Sequence, residues 1–284
     1  MCPRKCNIDR SVKCGFCGSD DKIKIGKIML HKWEEPILAK ENSGAIFFSN
    51  CPLKCVFCQN YEISQNGKGK YFTIEELVEI FKDLERRGAE NIDLVSPTQY
   101  SDQIIEALKI YKPKVPVVWN SNGYESVETL DKLKGLVDIF LPDFKYASNN
   151  LALEYSRCSD YFQNTTKALL KMRELCPEDV YEGDKLVKGM IVRHLVLPNH
   201  FLNTKLILKW IKDNLGVETI VSVMSQYTPY YLSKTHNILS RRITKKEYSK
   251  VENLVCDMGF ENGFLQELDS ADECYVPNFE KILI

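Results

Sequence analysis

Three cysteines, Cys51, Cys55 and Cys58, fall in a C-x3-C-x2-C pattern within residues 49–60, which read S-N-C-P-L-K-C-V-F-C-Q-N. They follow the apolar run 45–48, so three thiolates are expected on one tight loop at the end of a strand. An iron–sulfur cube is ordinarily held by four cysteines. A loop that offers three leaves one iron free to bind a group that is not protein. A zinc site prefers four ligands or a nearby histidine, and this loop supplies neither.

A second group, Cys2, Cys6, Cys14 and Cys17, is written C-x3-C-x7-C-G-F-C-G. Two short chelating pairs joined by a turn are the usual way a loop-rich segment closes around a tetrahedral ion. Gly15 and Gly18 supply the permissive dihedrals such a knuckle needs. The ligands fit zinc and an auxiliary iron–sulfur cluster equally, and unmetallated thiols are the other reading. The chain has 11 cysteines in all. Cys158, Cys176, Cys256 and Cys274 are scattered singly and are expected to be buried, apolar-like and inert. In a reducing compartment the clustered cysteines read as metal ligands rather than disulfides. His31, Glu34 and Glu35 could ligate or shuttle protons, but with Pro36 closing the stretch they read as a surface loop.

The elements that must position these groups alternate. An expected strand covers residues 22–30 and breaks near Gly26, and residues 44–48 form the strand that delivers the first cysteine loop. Thr73 caps a helix with Leu77, Ile80, Phe81 and Leu84 at helical spacing and Gly88 past its end. Further strands are expected at 91–96, 115–119, 137–141, 189–197 and 219–224. Helices are expected at 101–111, 126–133, within 149–175, at 202–214 and at 245–258, the last with Gly259 at its end. Strands alternating with helices imply parallel β/α units. Six such units are two short of a closed barrel. The expected fold is an α/β protein, a partial (β/α)6 TIM-like barrel with a small N-terminal cysteine-rich metal-binding segment. Residues 1–42 form that segment, a metal knuckle plus a strand, and residues 43–284 form the barrel. Active groups of such barrels gather at the carboxyl ends of the strands.

With 284 residues, 44% of them hydrophobic and 27% charged, the composition is that of a soluble globular protein. The formal net charge of -1 argues against a dedicated nucleic-acid binder. Residues 1–6 lack the apolar core of a signal peptide, and no run approaches a membrane span. The expected location is the cytoplasm, with neither nucleic acid nor membrane as partner.

The cysteine triplet, Phe57 just before its last member, and the following series of strands and helices resemble the radical S-adenosylmethionine (SAM) superfamily. Cys2-Pro3-Arg4-Lys5-Cys6, His31-x-x-Glu34-Glu35-Pro36 and Cys55-x-x-Cys58-Gln59-Asn60-Tyr61-Glu62 look like its uncharacterised branch labelled pyruvate formate-lyase activating enzyme-like. The resemblance implies that Cys51, Cys55 and Cys58 hold a 4Fe-4S cluster whose remaining iron is chelated by S-adenosylmethionine. An electron, from a donor such as flavodoxin or ferredoxin, then cleaves the ligand to methionine and a 5'-deoxyadenosyl radical, which abstracts hydrogen. It places Phe57 near the adenine.

Around the ligand the resemblance implies Ser96 and Thr98, in a Ser96-Pro97-Thr98-Gln99 run that departs from the family's Gly-Gly-Glu. It also implies Asn120 in an Asn-Gly turn, with Asp143 and Lys145 pairing with the methionine half. Their rival reading is a strand-end salt bridge. Arg193 enters the site from a strand on which His194 must face the other way. Gln226 or Tyr227 stands where activating enzymes carry a histidine, which weakens the inference of a glycyl radical enzyme as target. The implied activity is hydrogen abstraction, with glycyl radical enzyme activation as one version. The alternatives are the same chemistry on another peptide or small molecule, and a non-catalytic metal-binding regulatory protein.

Overall fold

The computed structural model describes residues 2–32, 35, 37–39 and 42–266. In chain order the strands and helices are β1 (Ile23–His31), β2 (Ser43–Phe48), α1 (Tyr61–Ser64), β3 (Lys70–Phe72), α2 (Ile74–Arg86), β4 (Asn91–Val95), α3 (Ser101–Ile110), β5 (Val117–Ser121), α4 (Val127–Lys132), β6 (Ile139–Pro142), α5 (Asn149–Ser156), α6 (Tyr161–Leu175), β7 (Val180–Glu182), β8 (Lys185–Leu195), α7 (Phe201–Leu215), β9 (Ile220–Met224), α8 (Lys245–Met258) and β10 (Gly263–Leu265). The strands form one mixed sheet in the order β10-β9-β8-β6-β5-β4-β2-β1-β3, with β7 attached to β8. From β2 to β9 neighbouring strands are parallel and follow chain order, giving the six β/α units of an unclosed barrel.

Strand parity explains where the core ends and the polar cavity begins, because successive side chains point to opposite faces. Val117, Trp119, Phe140, Met190, Val192 and Val221 pack outward into the helical layer. Val118, Ile139, Leu141, Ile191 and Ile220 point inward and plug the barrel together with Leu38. Two residues further along the same inward rows stand Asn120, Asp143, Arg193 and Ser222, which line a cavity. The apolar plug therefore forms the floor of a polar site at the carboxyl ends.

Helix ends agree with local chemistry. Thr73 accepts from the Glu76 amide, and Glu76 accepts from the Thr73 amide at 2.7 Å, a reciprocal capping box. Thr244 and Glu247 repeat it on α8, which ends on left-handed Gly259.

Several expectations are corrected. The strand through Gly26 continues, with a register shift between Ile25 and Lys27. A side chain at Gly26 would come within 2.5 Å of Ile63, so the close approach of α1 requires glycine there. The helical stretch 149–175 is two helices, α5 and α6, separated at left-handed Arg157. Strands β3, β7 and β10 have no counterpart in the sequence reading, being only three residues each. Cys158 and Cys176 are buried, whereas Cys256, on the outer face of α8, is exposed. Cys274 lies outside the described residues, as do Glu34 and Pro36 of the expected surface loop. Among the described residues no helix is long and apolar enough to cross a membrane.

Glu247 does more than cap α8. It takes two hydrogen bonds from Arg241 at 2.7 Å each and one from the Asn199 amide at 2.8 Å. Arg241 above all, together with these amides, holds its carboxyl well below the usual carboxylate range. A depressed folded-state pKa contributes stability that is present above the unfolded value of about 4.3 and is lost as pH falls toward the folded value. Glu247→Gln should therefore lower the denaturation midpoint at neutral pH, with the gap to wild type narrowing between about pH 5 and pH 3. A gap that stays constant across that window contradicts the account.

Candidate functional site

The loop after β2 is built to present sulfur. Asn50 takes a left-handed conformation at φ 69°, turning the chain out of the strand, and its Nδ2 donates to the Tyr100 hydroxyl at 3.0 Å. Gln99 donates to the carbonyls of Ser49, Asn50 and Ser96 at 2.9, 3.1 and 2.8 Å, stapling the loops that follow β2 and β4. The end of α5 seats the other side. The amides of Lys54 and Val56 donate to the carbonyls of Ser156 and Tyr155 at 3.0 and 2.8 Å. The break between α5 and α6 therefore frees carbonyls that the cysteine loop uses.

Each sulfur has a polar neighbour. Asn122 Nδ2 and the Leu53 amide donate to Cys51 Sγ at 3.5 Å each, and Ser156 Oγ donates to Cys55 Sγ at 2.9 Å. Ser64 Oγ lies 3.1 Å from Cys58 Sγ. Burial, aided by the neighbouring thiols, pushes the Cys51 thiol up to about 12, and burial likewise pushes Cys58 up to about 11. Both are neutral thiols without a metal, and binding one must displace their protons. Three thiols with hydrogen-bond donors aimed at them fit a sulfur-bound cluster. Among the described residues no three Cys, His, Asp or Glu side chains stand close enough to hold a single ion. The thiolates of an iron–sulfur cube bond separate irons and do not need that spacing.

The three cysteines share a cavity of about 300 Å³ with Phe57, Ser96, Asn120, Asp143, Lys145, Arg193 and Gln226. Phe57 is buried and meets Tyr227 edge-on, with ring centroids 5.8 Å apart. Lys145 Nζ donates to Asp143 at 2.6 Å and Arg193 Nε donates to its other oxygen at 3.0 Å. Arg193 Nη2 also donates to Asn120 Oδ1 at 2.5 Å, while Asn120 Nδ2 donates to Asp93 at 3.2 Å. Burial pushes the Asp143 carboxyl up, but Lys145 and Arg193 outweigh it and hold it below its ordinary value. Lys145 is raised in turn, because Asp143 outweighs the desolvation that pulls it down. The strand-end salt bridge and the cavity wall are thus the same groups. Gly123, at φ 74°, permits the loop after β5 to pass against Asp143.

His194 faces away from this network, as alternation requires. Its Nδ1 lies 2.8 Å from the Phe144 carbonyl and its Nε2 2.9 Å from Thr204 Oγ1. Burial pushes it down to about 4, so it is a neutral, satisfied core histidine at pH 7.

Thr98 is not among the cavity-lining residues. It is buried, and its hydroxyl donates to Glu125 Oε1 at 2.6 Å. Burial pushes Glu125 up to about 7 against the hydrogen bonds from Thr98, Trp119 and Ser121. His31 and Glu35, expected on a surface loop, instead line the cavity, and Glu35 Oε2 is 3.9 Å from Arg193 Nη1. Their position depends on β1 running antiparallel beside β2, which a loop reading of the sequence does not anticipate. Asn122, Ser156 and Gln99 were also beyond sequence reasoning. Only the nearness of Asn122 and Gln99 to strand ends hinted at them.

Removing one partner from a mostly buried ion network strands the others. Asp143→Ala should therefore destabilise the protein by about 3 kcal/mol, and Asp143→Ala/Lys145→Met by clearly less than the sum of the single variants. Chemical denaturation of the four members of the cycle measures this. Additive losses mean that the two side chains do not interact.

Comparison with known proteins bears on the same residues. The sequence model of the Radical SAM superfamily matches residues 45–192, from β2 into β8. An uncharacterised protein of Methanocaldococcus jannaschii is 34% identical over 264 residues, covering 89% of this chain and 73% of its own length. Among solved structures, Streptococcus suis SuiB bound to S-adenosylmethionine aligns with a TM-score of 0.51 at 14% identity, over 78% of this chain and 50% of that one. The FeFe-hydrogenase maturase HydG of Carboxydothermus hydrogenoformans aligns with a TM-score of 0.50 at 16% identity, over 78% and 53%. The chain thus spans about half the length of these solved structures, which share its fold. By the match of its sequence from β2 into β8, this chain belongs to the radical SAM superfamily, enzymes that work with a 4Fe-4S cluster and S-adenosylmethionine.

Proposed function

We propose that Cys51, Cys55 and Cys58 hold the 4Fe-4S cluster, that the adjoining cavity holds S-adenosylmethionine, and that the enzyme abstracts hydrogen from a peptide, with a glycyl backbone as its specific version. The observation that carries the reading is one cavity lined by three thiols and by an oppositely charged strand-end network. When bound, the cluster supplies the electron and S-adenosylmethionine the radical; the protein supplies position and electrostatics.

Asp143 suits the ligand's ammonium, while Lys145 and Arg193 suit its carboxylate, a charge-assisted and bidentate-capable set. Asn120 keeps Arg193 in place from the neighbouring strand. Ser96 and Gln226 offer hydrogen bonds at the rim, and Phe57 with Leu53 and Met224 keeps apolar surface against the adenosyl group. Hydrogen bonds from Asn122 and Ser156 to sulfur draw charge from the thiolates and favour cluster reduction. His31 and Glu35, on the β1 side, remain for the substrate. A peptide substrate has a parallel in SuiB, which has also been solved bound to its precursor peptide SuiA. We assign residues 1–42 as a segment serving the barrel of residues 43–284, and the electron donor as a small reductant such as flavodoxin or ferredoxin.

Anaerobically reconstituted protein should absorb in the blue and release methionine and 5'-deoxyadenosine after dithionite reduction. The Cys51→Ala/Cys55→Ala/Cys58→Ala variant should release neither product. Arg193→Gln should keep the absorption and weaken S-adenosylmethionine binding by about 10- to 100-fold, the value of a charged hydrogen bond. A protein that binds iron but never cleaves S-adenosylmethionine sinks the reading. Trapping deuterated 5'-deoxyadenosine from fractions of a deuterated extract decides the substrate: label from the small-molecule fraction alone rules out the peptide.

A further inference from the structure

Residues 2–22 contain no helix or strand, yet they bury Cys2 and Cys17. A loop-rich segment of this size has no core of its own and needs a covalent or metal staple to hold a fixed shape. Two of its thiols converge: the sulfurs of Cys6 and Cys17 both come within 3.6 Å of the point where a Cβ on Gly15 would sit. The Phe16 amide donates to Cys6 Sγ and the Ser19 amide to Cys17 Sγ, each at 3.4 Å. Amide-to-sulfur bonds of this kind stabilise thiolate ligands.

The segment is also fastened to the cysteine loop. Arg4 donates to the carbonyls of Pro52 and Arg157 at 3.0 and 2.6 Å, and its guanidinium lies 3.9 Å over the Phe16 ring. Arg10 donates to the Gln99 carbonyl at 2.8 Å, and Lys54, from within the loop, donates to the Cys17 carbonyl at 3.3 Å. Gly18 packs against Asn50 Oδ1, where a Cβ would come within 3.2 Å.

We propose that Cys2, Cys6, Cys14 and Cys17 bind a second thiophilic metal centre, zinc or an iron–sulfur cluster, which holds the N-terminal segment as a clasp on the loop of Cys51, Cys55 and Cys58. The clasp rests on the reading of that loop as the radical cluster's site; the metal centre does not. The four thiols stand wider than ligands of a single ion, so binding draws them inward, exposed Cys14 above all. The dihedral freedom of Gly15 and Gly18 permits it.

Metal and acid-labile sulfide analysis of full-length protein, produced anaerobically with both zinc and iron supplied, tests this. Wild type should carry about four irons for the radical cluster and a further complement, zinc without sulfide or iron with it. The Cys51→Ala/Cys55→Ala/Cys58→Ala variant should keep only the further complement. The Cys2→Ala/Cys6→Ala/Cys14→Ala/Cys17→Ala variant should keep only the first, and should lose its iron in air several-fold faster than wild type. Arg4→Gln/Arg10→Gln leaves every thiol in place and should retain both complements while showing the same faster loss. Wild type with no metal beyond four irons, or a quadruple variant that retains the further complement, overturns the second centre. Unchanged iron loss in both clasp variants overturns the clasp. A wild type that lacks the four irons but holds the further complement refutes the radical-cluster reading alone.

Discussion

The cavity depends on one carboxylate. Asp143 sits between Lys145 and Arg193, and without it Lys145 would lose this ion pair and Arg193 would keep the longer one to Glu35, 3.9 Å away, in a mostly buried space above an apolar plug. Desolvating such charges is costly unless each has a close partner and further hydrogen bonds. Here Asn120 completes Arg193, and Asp93 completes Asn120, so the network crosses β4, β5, β6 and β8. That chain of pairs fixes the strand ends relative to one another. It leaves a preformed dipolar wall that a zwitterionic ligand can enter by exchanging partners.

The second requirement is to hold three thiols still in a loop without regular structure. The structure meets it by surrounding the loop with hydrogen bonds from separate elements. The end of α5 supplies carbonyls, Gln99 ties the entry, and the Ser233 amide donates to Val56 from the far side at 2.9 Å. The N-terminal segment closes the outer face through Arg4 and Lys54. Pre-organisation of this kind lowers the ordering cost when a cofactor binds. It also explains why α5 stops at Arg157: one continuous helix would have used those carbonyls internally.

Much of this was legible in the residues. The six barrel strands and most helices follow from period and capping, because strand alternation and helix ends are local. Asn120, Asp143 and Arg193 lie at the carboxyl ends of apolar runs, where a parallel barrel gathers its polar groups. Thr98 misled for the same reason that it attracted notice. It follows a strand, but the turn after β4 rotates it into the helical layer toward Glu125. His31 and Glu35 misled in the opposite direction, because polarity and a proline suggest solvent when pairing partners are unknown. Cys256 followed the phase of its own helix, which places it on the outer face of α8, and not the burial usual for its residue type.

By itself the sequence determined the chemistry on offer and the order of the elements: three thiols on one loop, six β/α units, and strand ends carrying an acid, two bases and amides. Those follow from spacing and period, which act over a few residues. Only the tertiary structure decided which of these groups meet. It paired Asp143 with both Lys145 and Arg193, brought His31 and Glu35 to the cavity through β1, and turned Thr98 away. These are contacts between residues distant in sequence, set by strand register and loop rotation, which no local pattern encodes.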